Sequence, residues 1–362
     1  VEGRSDTFPV GVLEGEGIGP EVLAAALDVL DAVSAASGLR FTIQHGPRWQ
    51  PIDRAAPVAL QAEVAEYCQA LFAADGALLC GPGGGRFVYD LRRRFDLFCK
   101  LSPVRWQPAL RDVVRLRPEF LEGVDILVVR DNAAGIYQGS WHCSDDPGRG
   151  RTAHHQFQYS ARDVERLIQI ALELAKSRRG ALAVILKDGG IPSISELWRE
   201  IAVGLTASDP VRLELINIDY AAYRLIHDPR SFDVIVTPNM FGDLLIDLTG
   251  ALIGSRGMTF SGNFSAEGAA VYQTNHGAAH ALAGSNRANP LGQIAALAMM
   301  LRQSYGLHTA ADVIESAVAR TLATRWRTEE IATYGCRVVG TRELGALVAR
   351  TVAECWPADP AS

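Results

Sequence analysis

Nothing in this chain of 362 residues reaches the roughly 20 consecutive apolar residues that an α-helix needs to cross a bilayer. The six cysteines, Cys68, Cys80, Cys99, Cys143, Cys336 and Cys355, contain no C-x-x-C pair and no other metal spacing. With no signal-like N-terminus, they are expected to be reduced thiols in a cytoplasm. Positive charge is not in surplus: 35 Lys and Arg against 41 Asp and Glu give a formal charge of −6, with both signs spread along the chain. That balance argues against nucleic acid or an anionic membrane as the main partner, so any basic site must be local. Internal repeats and low-complexity tracts are also absent. A dinucleotide fingerprint fails too, because G-x-G-x-x-G running from Gly15 and Gly17 would need glycine at position 20, where Pro20 stands.

What is present is enough apolar residue for a full core, 48% of the chain, at a length that favours two lobes over one. Residues 10–13 form a short apolar strand, and Pro20 suits the first turn of a helix running to about Ala36. Residues 76–80 form a strand that enters the glycine-rich loop 81–85, where backbone can approach a ligand closely. Arg92, Arg93 and Arg94 follow. Three adjacent arginines form either a solvated basic face or, beside such a loop, a fork for a carboxylate. Residues 124–130 are a buried-type strand ending in Arg130. The polar stretch 139–160, with Pro147, Gly148 and Gly150, is an excursion from the body of the fold. A helix over 162–178 leads to a strand at 181–186 and then Lys187, and a further short strand precedes Asn217, Ile218 and Asp219.

The chain is organised around residues 233–247. Val234, Ile235, Val236 and Thr237 are a β-branched run that Pro238 and Asn239 terminate, and a helical pattern follows, so the join lies where open α/β sheets place ligands. Asp243 and Asp247 stand four residues apart on that helix, facing the same way, and oxygen ligands so placed suit a hard cation such as Mg²⁺ or Mn²⁺. The alternative is a solvated acidic face, but the flanking Asn239-Met240-Phe241-Gly242 is apolar and tight rather than surface-like.

The run from Thr237 to Asp247, Thr-Pro-Asn-Met-Phe-Gly-Asp-Leu-Leu-Ile-Asp, resembles the metal-binding signature of the isocitrate and isopropylmalate dehydrogenase family, the metal-dependent β-decarboxylating dehydrogenases. Three other segments resemble that family in order: 15–22, with Glu16 for the usual Asp; 130–137, with Asp131 for the usual Glu; and 273–280 with 288–290, where His280 replaces a Pro. The resemblance implies an α/β, isopropylmalate dehydrogenase-like two-domain fold with a central mixed sheet flanked by helices, not a Rossmann fold. Residues 1–101 and 254–362 would form the cofactor-bearing domain, and 102–253 the second domain, with a dimer arm at about 139–160. The implied reaction is NAD(P)-dependent oxidative decarboxylation of a 3-substituted malate to a 2-oxo acid and CO₂. Asp219, Asp243 and Asp247 would hold Mg²⁺ or Mn²⁺; Lys187, aided by Asp219, would be the base and Tyr137 the acid. Lys187 and Asp219 would reach across from the partner in a homodimer with shared active sites. Arg92 and Arg130 would bind substrate, and Ile18, His276, Gly277, Ala281 and Asn289 the cofactor. His276 either meets the adenine or is a plain turn residue; His154 and His155 read as surface.

Departures from the family pattern bear on specificity. Ser102 stands where a second substrate arginine is usual, leaving Arg92 and Arg130, with Arg105 close by in sequence. The substituent pocket is expected just before Arg92, where Val88 and Tyr89 suggest an apolar or aromatic wall and Arg86, alternatively, a contact for an extra acid; the sequence does not choose between the two. Ala281 replaces an Asp common in NAD enzymes, without a basic residue for a 2′-phosphate, so NAD is favoured and NADP not excluded. Gly189 replaces an Asn expected beside the nicotinamide. These changes point to a non-standard substrate. Two alternatives stay open, a non-catalytic regulatory subunit and a non-decarboxylating malate- or tartrate-type dehydrogenase.

Overall fold

The computed structural model describes residues 7–48 and 60–357. In chain order its strands are β1 Thr7–Leu13, β2 Arg40–His45, β3 Ala77–Cys80, β4 Cys99–Arg105, β5 Asp125–Asp131, β6 Ser140–Asp146, β7 Gly150–Gln156, β8 Ala181–Leu186, β9 Arg212–Asn217, β10 Val234–Thr237, β11 Phe260–Phe264, β12 Ala270–Thr274 and the short pair β13 Trp326–Arg327 and β14 Arg337–Val338. Ten of them make one mixed sheet in the order β2-β1-β3-β12-β11-β4-β5-β10-β8-β9. The outer pairings are parallel, while β11 runs antiparallel to β12 and to β4, and β4 antiparallel to β5. The central strands read as continuous apolar runs because both faces are covered: Ile126, Leu127, Val128 and Val129 of β5 are all buried. Ile126 and Val128 belong to the core shared with the helices Leu291–Gln303 and His308–Ala323, whereas Leu127 and Val129 face the core under the helix Ala161–Lys176.

That last helix starts one residue before and ends two residues before the span 162–178 read from the sequence, its start set by the reciprocal capping box of Ser160 and Asp163. The first helix, Gly19–Ser37, has Pro20 in its first turn as expected and ends on Gly38 in the left-handed region. Residues 140–156 form the two-stranded antiparallel hairpin β6–β7, which pairs with no other strand and is exposed along nearly all its length. It is the excursion that the sequence announces.

The register of the middle strands sets up the site. Since β4 and β5 are antiparallel, Lys100 near the start of β4 lies opposite Arg130 near the end of β5, and Ser102 lies opposite Val128. Directly paired residues point to the same face. The helix Asn239–Ile253 crosses that face with Phe241, Leu245 and Leu252 buried. Gly242 makes the crossing possible: a Cβ there would lie 2.7 Å from Thr237 Cγ2 and 2.8 Å from Arg130 Cγ.

Candidate active site

A cleft of about 360 Å³ opens on this face, between the loop and helix after β3, the start of β4, the helix Asn239–Ile253 and the loop after β12. Asp243 and Asp247 line it from one side, Val88, Tyr89 and Arg92 from another, and Lys100 from the sheet. Arg92, Lys100 and Arg130 are buried, at 6%, 3% and 1% exposure, which concentrates three cations around two carboxylates.

The carboxylates are engaged unequally. Asp243 pairs with Arg130 Nη1 and accepts a 3.0 Å hydrogen bond from the Tyr137 hydroxyl. Asp247 pairs, among the described residues, with Arg256 at 3.1 Å, and both of those side chains are about half exposed. Burial alone would raise the Asp243 carboxyl, but Arg130, Lys100, the Tyr137 hydroxyl and Arg92 more than offset it and hold it below its ordinary value. Burial, and then the adjoining Asp243 charge, raises the Tyr137 hydroxyl, so it stays protonated. Burial and Arg130 push Arg92 down to about 10, still charged at neutral pH. Lys100 is lowered well below a free lysine, first by burial and then by Arg92 and Arg130.

Several residues singled out from the sequence meet here. Asp243, Asp247, Arg92, Val88 and Tyr89 line the cleft, with His276 and Gly277 at its far side, and Tyr137 joins through Asp243. Arg130 stands behind this surface, its guanidinium donating to Asn239 Oδ1 at 2.8 and 3.2 Å as well as to Asp243. Only Arg92 of the three adjacent arginines is buried and lines the cleft; Arg93 and Arg94 are exposed.

Other residues singled out from the sequence lie away from the cleft or are engaged elsewhere. Arg105 does not join the cluster: it ends β4 away from the cleft, half exposed, with Asp125 at 3.5 Å and Glu315 at 3.9 Å. Arg86 donates through Nη1 to Tyr137 O, meets Asp90 at 3.5 Å and lies over the Trp141 ring, and it is not among the residues lining the cleft. Ser102 leaves no open room; it is 1% exposed, and its hydroxyl is 3.4 Å from Asn275 Nδ2. Asn289 caps the helix Leu291–Gln303 by accepting from Leu291 N, Ile18 packs with Val22 and Ala288, and Ala281 is exposed, so none of the three lines the cleft. Lys187 and Asp219 pair with each other at 2.8 Å, well exposed, and also lie outside it. Among the described residues no three His, Cys, Asp or Glu side chains gather as a metal-binding group, so Asp219 does not complete a set with Asp243 and Asp247 within one chain. His154 and His155 are exposed on the hairpin, as expected.

Lys100 is the residue that sequence reasoning missed. Its only signal was a charged residue inside a strand-like run, and its place follows from the register with Arg130.

The donors present fit a hard divalent ion in part: two carboxylates on one helix face, open to the cleft, leave coordination positions for substrate and for groups outside this chain. The loop after β12 fits a nucleotide. Its His276 Nε2 and Asn275 Oδ1 are buried without a hydrogen-bond partner, and buried orphans of this kind mark a place where a ligand can supply one. Burial lowers His276, so its imidazole is neutral at pH 7. The loop is braced by the segment before the first helix: Ile18 N donates to Ala278 O at 2.9 Å, and Gly17, at φ +56°, comes so near that a Cβ would lie 2.0 Å from the same oxygen.

Comparison with known proteins agrees with this arrangement. Residues 9–348 match the family model for isocitrate/isopropylmalate dehydrogenase. The 3-isopropylmalate dehydrogenase of Synechococcus sp. (strain CC9605) is 35% identical over 93% of this chain and 97% of its own length. That of Gloeobacter violaceus is 36% identical over 93% and 96%. Among solved structures, the isocitrate dehydrogenase of Methylococcus capsulatus superposes with a TM-score of 0.83 at 26% identity, covering 96% of this chain and 99% of that one. The chain therefore belongs to the isocitrate/isopropylmalate dehydrogenase family.

Proposed function

We propose that this protein is a metal-dependent, NAD(P)-linked dehydrogenase that oxidises and decarboxylates a 3-substituted malate, working as a homodimer with shared active sites and with NAD as the favoured cofactor. The observation that carries the reading is the cleft in which two carboxylates on one helix face oppose buried cations, with the Tyr137 hydroxyl on Asp243. Residues 1–101 and 254–362 would act as the cofactor-bearing domain and 102–253 as the other, so that the cleft lies between them.

Asp243 and Asp247, with Asp219 of a second copy, would hold Mg²⁺ or Mn²⁺. Bound there, the ion would act as a Lewis acid on the 2-hydroxy acid and on the charge that develops as CO₂ departs. Arg92 holds a substrate carboxylate, and Arg130, clamped by Asn239, fixes Asp243 in place. The hydroxyl proton would pass to the amine of Lys187 of a second copy, and a nicotinamide, when bound, would supply the acceptor for the hydride of C2. The C–C bond to the β-carboxylate then breaks, its electron pair forms the enolate, and Tyr137, kept protonated by burial and by Asp243, delivers a proton to C3. Val88 and Tyr89 line the cleft with an apolar and an aromatic side chain, which favours an apolar or aromatic 3-substituent. His276 and Gly277 would face the adenosine.

The test is a panel of 3-substituted malates, including isopropylmalate, isocitrate and 3-aryl malates, with Mn²⁺ and each nicotinamide cofactor. Reduction of cofactor by an alkyl or aryl malate in preference to isocitrate is expected. Preference for isocitrate would refute the apolar pocket, and no reduction with any member would favour a regulatory subunit.

A further inference from the structure

Lys100 is a cation with no work in the scheme above. It is 3% exposed, lines the cleft, and among the described residues makes no hydrogen bond or ion pair with its ammonium. Its charged surroundings are Arg92 and Arg130 on the same face, with Asp243 and Asp247 only partly offsetting them. Asp243 is already taken by Arg130 and Tyr137, and Asp247 by Arg256. The side chain is buried while its ammonium opens on the cleft, near two guanidiniums and without a carboxylate of its own, so packing does not explain it. It does suit a cleft whose ligand brings the missing anion. Two residues along the same face, Ser102 presents only a hydroxyl, beside Asn275.

We propose that Lys100 is a substrate-binding residue that stands in for the cation absent at position 102 and receives one carboxylate of a 2-hydroxy dicarboxylate, Arg92 receiving the other. The assignment rests on the reading of the cleft as a hydroxy-acid site. An ammonium is a point charge where a guanidinium is a planar fork, so position 100 selects for negative charge more than for carboxylate orientation.

The experiment is calorimetric titration of the whole protein, with Mn²⁺, using malate and its two monoamides, which keep the shape and remove one charge each. Lys100→Met, similar in length and neutral, should weaken malate by about tenfold or more while leaving one of the monoamides within about threefold of wild type, thereby naming the carboxylate that Lys100 meets. Adding Ser102→Arg to Lys100→Met should recover part of the lost malate affinity. The melting temperature of Lys100→Met should equal or exceed that of wild type, because a cation crowded by Arg92 and Arg130 has gone. Equal weakening of malate and both monoamides, or no weakening of any, would overturn the assignment while leaving the hydroxy-acid reading intact. Failure of wild type to bind malate at all would overturn both.

Discussion

Replacing Asp243 by asparagine removes a charge with two separable duties. The first is structural. Arg130 is 1% exposed and would lose its only ion-pair partner among the described residues, keeping the bonds to Asn239. Breaking a fully buried pair costs about 3–5 kcal/mol. Asp243 is 43% exposed on its side chain, so solvent screening reduces this, and about 1–2 kcal/mol is expected. For a chain of this size, that is a fall of about 1–4 °C in Tm. The second duty is coordination. Asp247→Asn supplies the control, because its partner Arg256 is itself exposed, and surface pairs are worth about 0–1 kcal/mol. Both variants should lose Mn²⁺ binding, measured by paramagnetic resonance of the free ion, and both should lose turnover. Only Asp243→Asn should lose stability in a thermal melt. Equal loss of stability in the two variants would refute the reasoning about Arg130, and retained Mn²⁺ affinity in either would refute the ligand assignment.

Tyr137→Phe should lower kcat by about 10²–10⁴-fold with KM nearly unchanged, the range for a lost general acid, and a loss in KM alone would reassign Tyr137 to binding. Asp131 is wholly buried, and burial pushes its carboxyl up to about 7, against backbone bonds from Ala134 and Ala133 that act the other way. Its folded pKa therefore lies above its unfolded one, so its contribution is full below about pH 4 and is lost as pH rises through 7. Asp131→Asn should flatten the stability profile between those limits and gain up to about 4 kcal/mol above pH 7, read from urea melts across pH; an unchanged profile would contradict the burial argument. Lys187→Met and Asp243→Asn should each be inactive alone. Refolded together they should recover part of the wild-type activity if sites are shared between subunits, and recovery of none would place both residues in one chain's site.

Much of this was legible because the information is local. The β-branched run 234–237, the Pro238 stop and the i, i+4 aspartates lie within one strand and one helix, and each appears where expected. What was not legible depends on pairing between distant segments. Arg105 looked close to Arg92 by residue count, yet an extended β4 carries it to the far end of the strand. Arg86 and Asn289 carry polar groups suited to ligands, and only the tertiary structure shows those groups already committed to Tyr137 O and Leu291 N. Lys100 reaches the cleft through the antiparallel register of β4 on β5, which a short run such as Cys-Lys-Leu-Ser-Pro-Val-Arg does not encode by itself.

The central claim is that oxidation and decarboxylation both occur at the Asp243–Tyr137 cleft. It is tested most directly by measuring CO₂ and reduced nicotinamide in the same reaction, with the malate that reacts best and with Mn²⁺ present. The account predicts equal amounts of the two products in wild type. In Tyr137→Phe it predicts that product release slows while the two remain equal at completion. Cofactor reduction without CO₂ would contradict it and identify a plain hydroxy-acid dehydrogenase.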